Sequence, residues 1–197
     1  MTSTRLAMMF LLPAVAFAAQ ASGALPAQIA ALVPQGTRLT SQSFTGTPTI
    51  AVAEFTAKKI VDVGRTIEYR LVIRALDNNS PTWKMRESAY RKQMELRIEQ
   101  NRKSLSPESA NQGMFTADPV KEATNAWGTS LTQRVLNHPP QAKQFISYQC
   151  AYFGMVGGVV FELFVSGIPD RPDVANQWAQ MVANAASKLS VSNIGDK

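Results

Sequence analysis

Residues 144–166, QFISYQCAYFGMVGGVVFELFVS, carry the strongest structural pattern in this chain. Apolar side chains occupy every second position from Ile146 to Tyr152, and again from Val159 to Val165. The glycine-rich stretch 154–158 separates the two runs. Because side chains alternate between the two faces of a strand, this pattern predicts an antiparallel hairpin with 154–158 as its connection.

Further strands are predicted on both sides of this hairpin. Residues 37–47, 49–58 and 127–137 have the β-branched and aromatic content of strands. The clearest is 66–76, in which apolar residues from Ile67 to Ala75 alternate with Glu68, Arg70 and Arg74. Such a strand is typical of an antiparallel sheet with one face toward a core and one more polar face. We also expect a short helix over 25–33 and a helical turn over 119–125.

Two longer helices follow from apolar residues at helical spacing. Residues 82–103 place Trp83, Tyr90, Met94 and Ile98 on one stripe, which predicts a buried face. A second, weaker stripe contains Met85, Ala89 and Leu96. A final helix starts near Asp173 and keeps an apolar stripe from Val174 to Leu189.

The order of elements predicts an α+β fold, with antiparallel sheet or sheets flanked by helices. Each half of the chain has strands first and a helix after them, so we expect a layered sandwich of two such halves. The domain is expected to span residues 25–192, with 193–197 as a frayed tail.

The N-terminus has the pattern of a secretory signal peptide over residues 1–21. A short polar start with Arg5 precedes the apolar run 6–18, LAMMFLLPAVAFA, and small residues follow it. We expect cleavage after Ala18 or Ala21. The alternative is a membrane anchor, but 13 residues of helix span only about 20 Å of a hydrocarbon core about 30 Å thick. The predicted location is the bacterial periplasm, with secretion as the alternative.

Composition narrows the class of protein. The chain is 45% hydrophobic and 17% charged, which is typical of a globular domain. Its single cysteine, Cys150, cannot form a disulfide within the chain, and this favours a bacterial exported protein stabilised by its core. The net charge of +6 indicates a basic surface. The ordinary explanation is a soluble protein with a basic face. Because export separates the protein from most nucleic acid, the expected partner is another exported or envelope protein of acidic character, or an anionic membrane surface, and not nucleic acid.

The chain has few of the residues that a catalytic triad or a soft-metal site requires. His138 is the only histidine and lies in a proline-rich turn, so we interpret it as a loop residue. Cys150 falls on the apolar face of a strand and is interpreted as a small core residue. One histidine and one cysteine cannot supply a tetrahedral metal site, and the glycines at 154–158 match no phosphate-binding motif. No catalytic residue, metal or cofactor is therefore predicted.

The acidic residues also have structural explanations. Asp170 and Asp173 lie at the expected start of the last helix, where they act as caps and as partners of the helix dipole. Glu162 lies between Phe161 and Leu163, opposite the core-facing side chains. We interpret it as a residue of a solvated sheet face rather than a buried functional carboxylate.

The basic helix 82–103 is the best candidate for a functional surface. It contains seven basic and three acidic residues, and the ordinary explanation is a solvated helix with ion pairs at i,i+4 spacing. The second apolar stripe exceeds what one core face requires and favours contact with a partner. The candidate partner-binding residues are Lys84, Arg86, Arg91, Lys92, Arg97, Arg102 and Lys103, together with a long loop over 104–118.

Residues 144–189 resemble the end of the PsbP-like α/β/α sandwich family. The stretch YQCAYFGMVGGVVFELFVSGIPDRPDVANQWAQMVANAASKL runs from strand to glycine turn, strand, Gly-x-Pro turn and helix, as in that family. The resemblance covers about a quarter of the chain and rests on pattern rather than on a diagnostic motif. Since members of the family are mostly non-enzymatic modules that bind proteins, the resemblance implies a docking role. No functional residue is carried over.

Together these features predict a non-catalytic exported protein-interaction module, such as an adaptor, a chaperone-like protein or an inhibitor. An alternative is a periplasmic carrier of a hydrophobic or anionic small molecule, held between sheet and helix in an apolar pocket lined by Trp83, Tyr90, Phe161 or Trp178. A hydrolase that uses carboxylates alone is a third and weaker alternative, because no acidic pair is left without a structural explanation.

Overall fold

The computed structural model describes residues 24–62, 65–105, 115–138, 143–169 and 172–195. Within these ranges the chain forms four helices, namely α1 Ala27–Ala30, α2 Trp83–Ser104, α3 Asp173–Ala186 and α4 Val191–Gly195. Its eight strands are β1 Arg38–Thr47, β2 Ile50–Asp62, β3 Arg65–Leu76, β4 Phe115–Ala117, β5 Lys121–Asn125, β6 Gly128–Asn137, β7 Phe145–Val156 and β8 Val159–Pro169.

All eight strands belong to one antiparallel sheet. Its order is β1-β2-β3-β8-β7-β6-β4, and β5 pairs with the same edge of β6 as β4 does. The prediction of an antiparallel sheet with flanking helices is confirmed. With 49% of the described residues in strands and 29% in helices, the fold is more dominated by its sheet than we expected. The two halves are not separate layers, because β3 of the first half pairs directly with β8 of the second.

The predicted hairpin is β7–β8, near the centre of the sheet. Pairing continues from Ser147 to Val156 on one strand and from Val159 to Pro169 on the other. The connection is shorter than 154–158, because only Gly157 and Gly158 form the turn. Gly157 has a φ of +57°, which a two-residue hairpin turn requires and which glycine adopts without strain.

One face of the sheet packs against α3 to form the main core. Phe55, Leu71 and Phe161 lie at its centre and are fully buried. The rings of Trp178 in α3 and Tyr69 are nearly perpendicular, and their centroids lie 5.3 Å apart. Trp178 Nε1 also donates a hydrogen bond to the Leu32 carbonyl at 2.8 Å. This single side chain therefore ties the N-terminal segment to the sheet and to α3.

The opposite face of the sheet packs against α2. Ile98 and Leu105 contact Leu131, Ala151 and Phe153, which form a second apolar cluster. A third cluster of Leu76, Met155 and Val160 receives Trp83, Tyr90 and Met94 from α2. Helices thus cover both faces, and the buried stripe that we expected on α2 is confirmed.

Three short segments differ from the sequence-based expectations. Residues 121–125 form strand β5 instead of part of a helical turn, because pairing with β6 outweighs the weak helical preference of so short a segment. Residues 115–117 form strand β4 within the region predicted as a loop. The expected frayed tail includes part of α4, whose Ile194 is buried in the main core.

No helix in the described ranges is long and apolar enough to cross a membrane. The predicted signal peptide, residues 1–21, lies outside the described residues and stays a prediction.

A substitution at Gly154 tests the packing of the central hairpin. Gly154 pairs with Phe161, and a Cβ added to Gly154 would overlap the Phe161 ring. We expect Gly154→Ala to lower the free energy of unfolding by about 1–3 kcal/mol, as overpacking of a core does. Urea denaturation followed by circular dichroism measures the change.

The matched control is Gly157→Asn in the adjacent turn. A Cβ at Gly157 meets no atom within 4 Å, and asparagine tolerates the left-handed conformation found there. This variant should remain within about 0.5 kcal/mol of the natural protein, as surface changes usually do. Equal stability of Gly154→Ala and the natural protein would contradict the packing described for Phe161.

Candidate functional site

Helix α2, the predicted partner-binding element, is positioned by a polar turn and by its apolar stripe. In the turn before it, Asp77 Oδ1 accepts a hydrogen bond from the Asn79 backbone amide at 3.0 Å. The Ser80 and Thr82 hydroxyls lie 3.1 Å apart. These short-range bonds reverse the chain after β3, so that the first turn of α2 brings Trp83 back over the sheet.

A buried ion cluster attaches the C-terminal half of α2 to the sheet. Arg97 Nη1 donates to both carboxylate oxygens of Glu162, at 2.6 and 2.5 Å. Arg74 Nη1 of β3 donates to Glu162 Oε1 at 2.9 Å. Glu162 is only 5% exposed, whereas the side chains of both arginines are 24% exposed.

The interpretation of Glu162 as a solvated residue is therefore wrong. The alternation of β8 does place it opposite the main core, as expected, but α2 covers that face. A carboxylate without a partner would be costly in this position, because burial disfavours the charged form. Two guanidinium groups offset that cost, and the cluster keeps one net positive charge at the edge of the buried region.

Arg97 consequently does not belong to an exposed surface, although it is one of the seven predicted partner-binding residues. Its guanidinium is committed to Glu162 beneath the helix. Replacing it would disturb the attachment of α2 and not only the charge of its outer face. This contact joins residues 65 positions apart in sequence, so helical periodicity alone does not reveal it.

Three other predicted residues form ion pairs at the helix surface. Arg91 pairs with Glu87 at 2.7 Å, and Lys103 lies 3.5 Å from Glu99. Arg102 pairs with Glu99 and with Glu122 of β5, the latter at 2.7 Å. The hydrogen bond that Arg102 donates to the Glu122 carboxylate raises the pKa of Arg102 above its ordinary value. Arg102 thus joins the end of α2 directly to β5.

The remaining basic residues are Lys84, Arg86 and Lys92. All three are exposed, and none forms an ion pair with any residue that the structure describes. They lie in the N-terminal half of α2, away from the Arg97 cluster. Their charges are available to an external group.

The second apolar stripe of α2 lies on its outer face. Met85 is 71% exposed and Leu96 is 58% exposed, and Ala89 between them is also exposed. At 100° per residue, Lys92 falls on the same stripe. We call these four residues the outer stripe of α2. It combines apolar side chains that α2 does not bury with a basic group that has no partner in the described part of the chain.

A cleft opens between α2 and the neighbouring end of the sheet. Its volume is about 390 Å³, and it lies beside the third apolar cluster. Ile50, Leu76 and Tyr90 contribute apolar surface, and Arg86 contributes a positive charge. Thr49, Ala89 and Gln93 complete its lining. The cleft is small but lies within the range that small ligands occupy.

The predicted loop over 104–118 is anchored on both sides by one buried side chain. Gln133 Nε2 donates to the carbonyls of Leu105 and Asp118, at 2.5 and 2.8 Å. Its Oε1 accepts a hydrogen bond from Gln149 at 2.5 Å. Residues 106–114, the middle of that loop, lie outside the described residues. The sequence offered one signal for Gln133 that the expectations above did not use, namely its place between Leu131 and Val135 on an alternating strand.

The residues weighed for catalysis are separated in the structure. His138 Nε2 lies 3.3 Å from the Thr116 hydroxyl at the end of β6. Cys150 is 4% exposed in the main core, and burial raises the pKa of its thiol to about 11. Asp173 lies in the first turn of α3 as expected, and Asp170 lies outside the described residues. Among the described residues, no three His, Cys, Asp or Glu side chains are grouped so as to hold a metal ion.

Comparison with known proteins adds no relative, since no protein-family model and no curated protein sequence matches the chain.

Neutralising Glu162 tests the attachment of α2. Glu162→Gln leaves Arg74 and Arg97 without an anionic partner in a buried position. We expect the free energy of unfolding to fall by about 3–5 kcal/mol, as when one partner of a buried ion pair is removed. Chemical denaturation measures the loss, and amide hydrogen exchange locates it in α2.

Glu54→Gln is the control, because Glu54 pairs with Arg70 on the same sheet face but its side chain is 36% exposed. Such a pair is worth about 1 kcal/mol or less. If both variants lost the same small amount, the Glu162 cluster would not be the main attachment of α2.

Proposed function

We propose that this protein is a non-catalytic exported protein-interaction module, acting as an adaptor, a chaperone-like protein or an inhibitor. The observation that carries the proposal is the outer stripe of α2, which exposes Met85 and Leu96 directly opposite the docked face of the helix. A helix that only covered the sheet would not need apolar side chains there. Exposed apolar residues among charged ones are typical of a protein-binding surface.

Charge selects the kind of partner. Lys84 and Arg86 flank the outer stripe, to which Lys92 belongs, and these three basic residues have no ion pair within the described residues. Of the acidic residues of the same helix, Glu87 and Glu99 are already paired, which leaves only Glu95 without an ion pair there. The surface therefore favours an acidic partner that also offers apolar side chains. Complementary charge raises the rate of encounter, and the apolar contacts then provide most of the affinity.

The proposed location is the bacterial periplasm, with secretion as the alternative. Support comes from the signal pattern of residues 1–21 and from the one cysteine, which lies buried in the core. A domain without disulfides that acts outside the cytoplasm depends on its core for stability, and this one has a continuous core on the α3 side of the sheet.

A relationship to the PsbP-like family is part of the proposal. The chain places α2 on one face of an antiparallel sheet and α3 on the other, which is the layer order that the resemblance implies. The protein-docking role of that family agrees with the use proposed for α2.

Charge reversal on α2 tests the partner-binding surface. The double variant Lys84→Glu/Lys92→Glu should reduce capture of the partner from periplasmic extract by about tenfold or more, because it places like charges against an acidic surface. The captured proteins are identified by mass spectrometry with the natural protein and quantified with each variant. Circular dichroism checks that the variant is folded.

The matched control is Lys121→Glu/Lys188→Glu, which changes the net charge by the same amount at two exposed positions outside α2. It should capture the partner as the natural protein does. Equal loss with both variants would indicate a general effect of charge, and retained capture by the α2 variant would contradict the assignment of this surface. Met85→Ser/Leu96→Ser should also lose capture, whereas charge reversal at Arg97 is unsuitable because it would disturb the fold.

The cleft beside α2 favours a second candidate function, namely a carrier for a small amphipathic anion. Tyr90, Leu76 and Ile50 would contact the apolar part of such a molecule, and Arg86 would pair with its charge. Of the aromatic residues expected to line a pocket, only Tyr90 lies here. Phe161 and Trp178 are instead packed within the main core.

Native mass spectrometry of protein isolated from its own periplasm tests the carrier function. A carrier should show an additional bound mass that is absent from the Ala89→Trp variant, because the larger side chain fills the cleft. Leu96→Trp on the outer stripe is the control and should keep the bound mass. Protein without any additional mass, or a mass that Ala89→Trp retains, would contradict the carrier function.

A further inference from the structure

One end of the sheet collects half of the large apolar side chains that are exposed in the described part of the molecule. Ile60 is 80% exposed and Val61 is 44% exposed at the end of β2, and Leu39 and Ile146 are each 37% exposed. Leu39 lies at the start of β1 and Ile146 at the start of β7. The strand pairing brings these positions to the same end of the sheet, because antiparallel neighbours end where the adjacent strands begin.

The same end is basic. Arg38, Lys58, Lys59 and Arg65 lie in the strands that meet there, and Lys143 precedes β7. In the strands near this end the acidic residues are Asp62 and Glu68, so these strands together with Lys143 carry five basic residues and two acidic ones. Lys58 pairs with Glu68 at 2.6 Å, and the Arg65 guanidinium lies 4.8 Å from the centroid of the Phe145 ring. We call this region, with Leu39, Ile60, Val61 and Ile146, the basic sheet end.

The β2–β3 hairpin extends beyond the apolar core at this end. Ala57 is fully buried, whereas every residue of β2 from Lys58 onward is exposed. Two consecutive lysines, Lys58 and Lys59, are followed directly by the two most exposed aliphatic residues of the strand. At about 3.3 Å per residue, the lysines lie about 7 Å behind the aliphatic pair.

That spacing matches the depth of a membrane interface. Peripheral segments bury their apolar side chains about 5–10 Å into the boundary between headgroups and acyl chains. Asp62 and Arg65, which are register partners at the end of the strands, lie beyond the aliphatic pair, so Ile60 and Val61 would contact the outer part of this boundary while the ammonium groups of Lys58 and Lys59 stay within reach of the phosphates. Flexible lysine side chains keep their charge in the polar layer while their stems contact apolar surface.

The exposed aliphatic side chains lie on both faces of the sheet. By alternation Ile60 shares the α2 face with Lys58, while Ile146 shares the α3 face with Tyr148. A rigid, flat protein surface can contact one of these faces at a time. A fluid bilayer surrounds an inserted end and can contact both.

From the charge, the exposure and the spacing, we propose that the basic sheet end binds the surface of an anionic lipid bilayer, with Ile60 and Val61 inserted at the interface. This is a second interaction surface and does not involve the outer stripe of α2. A module that holds a partner through α2 and a membrane through its sheet end would bring that partner to the envelope surface.

Vesicle flotation tests the proposal. The purified exported protein is mixed with vesicles of phosphatidylglycerol and phosphatidylethanolamine, or with vesicles of phosphatidylcholine. We expect flotation with the anionic vesicles, little with the zwitterionic ones, and weaker binding as salt is raised from 0.1 to 0.5 M, because salt screens the lysines. Ile60→Ser/Val61→Ser should weaken binding about tenfold or more, and Lys59→Gln about fivefold.

The matched control is Met85→Ser/Leu96→Ser, which removes two exposed apolar side chains from α2 instead. It should bind vesicles like the natural protein, and circular dichroism confirms the fold of each variant. The proposal is overturned by absence of binding to anionic vesicles, by equal binding to both lipid compositions, or by unchanged binding of the Ile60/Val61 variant. It is also overturned if that variant keeps vesicle binding and instead loses a captured protein, since the sheet end would then be a protein interface.

Discussion

The carboxylate of Glu162, held between Arg74 and Arg97, determines how α2 lies on the sheet. The helix has a modest apolar stripe in which only Ile98 is fully buried, so apolar packing alone would fix its rotation loosely. Two arginines that converge on one buried carboxylate allow little freedom, because any rotation of α2 would leave charge buried without a partner. The outward direction of Met85 and Leu96 and the shape of the cleft near Tyr90 both follow from this attachment.

The two faces of the sheet are stabilised in different ways. The α3 face is a continuous apolar core with few polar bonds, of which the one from Trp178 to Leu32 is the most buried. The α2 face has smaller apolar clusters joined by polar groups, namely the Glu162 cluster and the bonds of Gln133. Since polar networks depend on geometry, the α2 side is the more specific but less deeply buried layer. Both the outer stripe and the cleft belong to this side.

Much of the fold was predictable because it rests on local periodicity. The β7–β8 hairpin, strand β3 and the buried stripe of α2 all follow from alternation at period two or spacing near 3.6 residues. Segment 121–125 was assigned wrongly, because five residues carry too little pattern and pairing with β6 decided their conformation. The candidate surface was predicted in part. Lys84 and Lys92 are exposed as expected, whereas Arg97 is half-buried and paired with a glutamate 65 positions away.

By itself, the sequence determined which side chains share a face of each strand or helix, and it showed the ordinary composition of a globular domain. It could not determine which faces are covered, because coverage depends on contacts between distant segments. Only the tertiary structure showed that α2 closes over Glu162 and that Gln133 holds both sides of the loop after it. Likewise, Ile60 and Val61 join Leu39 and Ile146 at one basic end only when the strands are paired. Periodicity is a local property of the chain, whereas burial and surface chemistry are properties of its assembly.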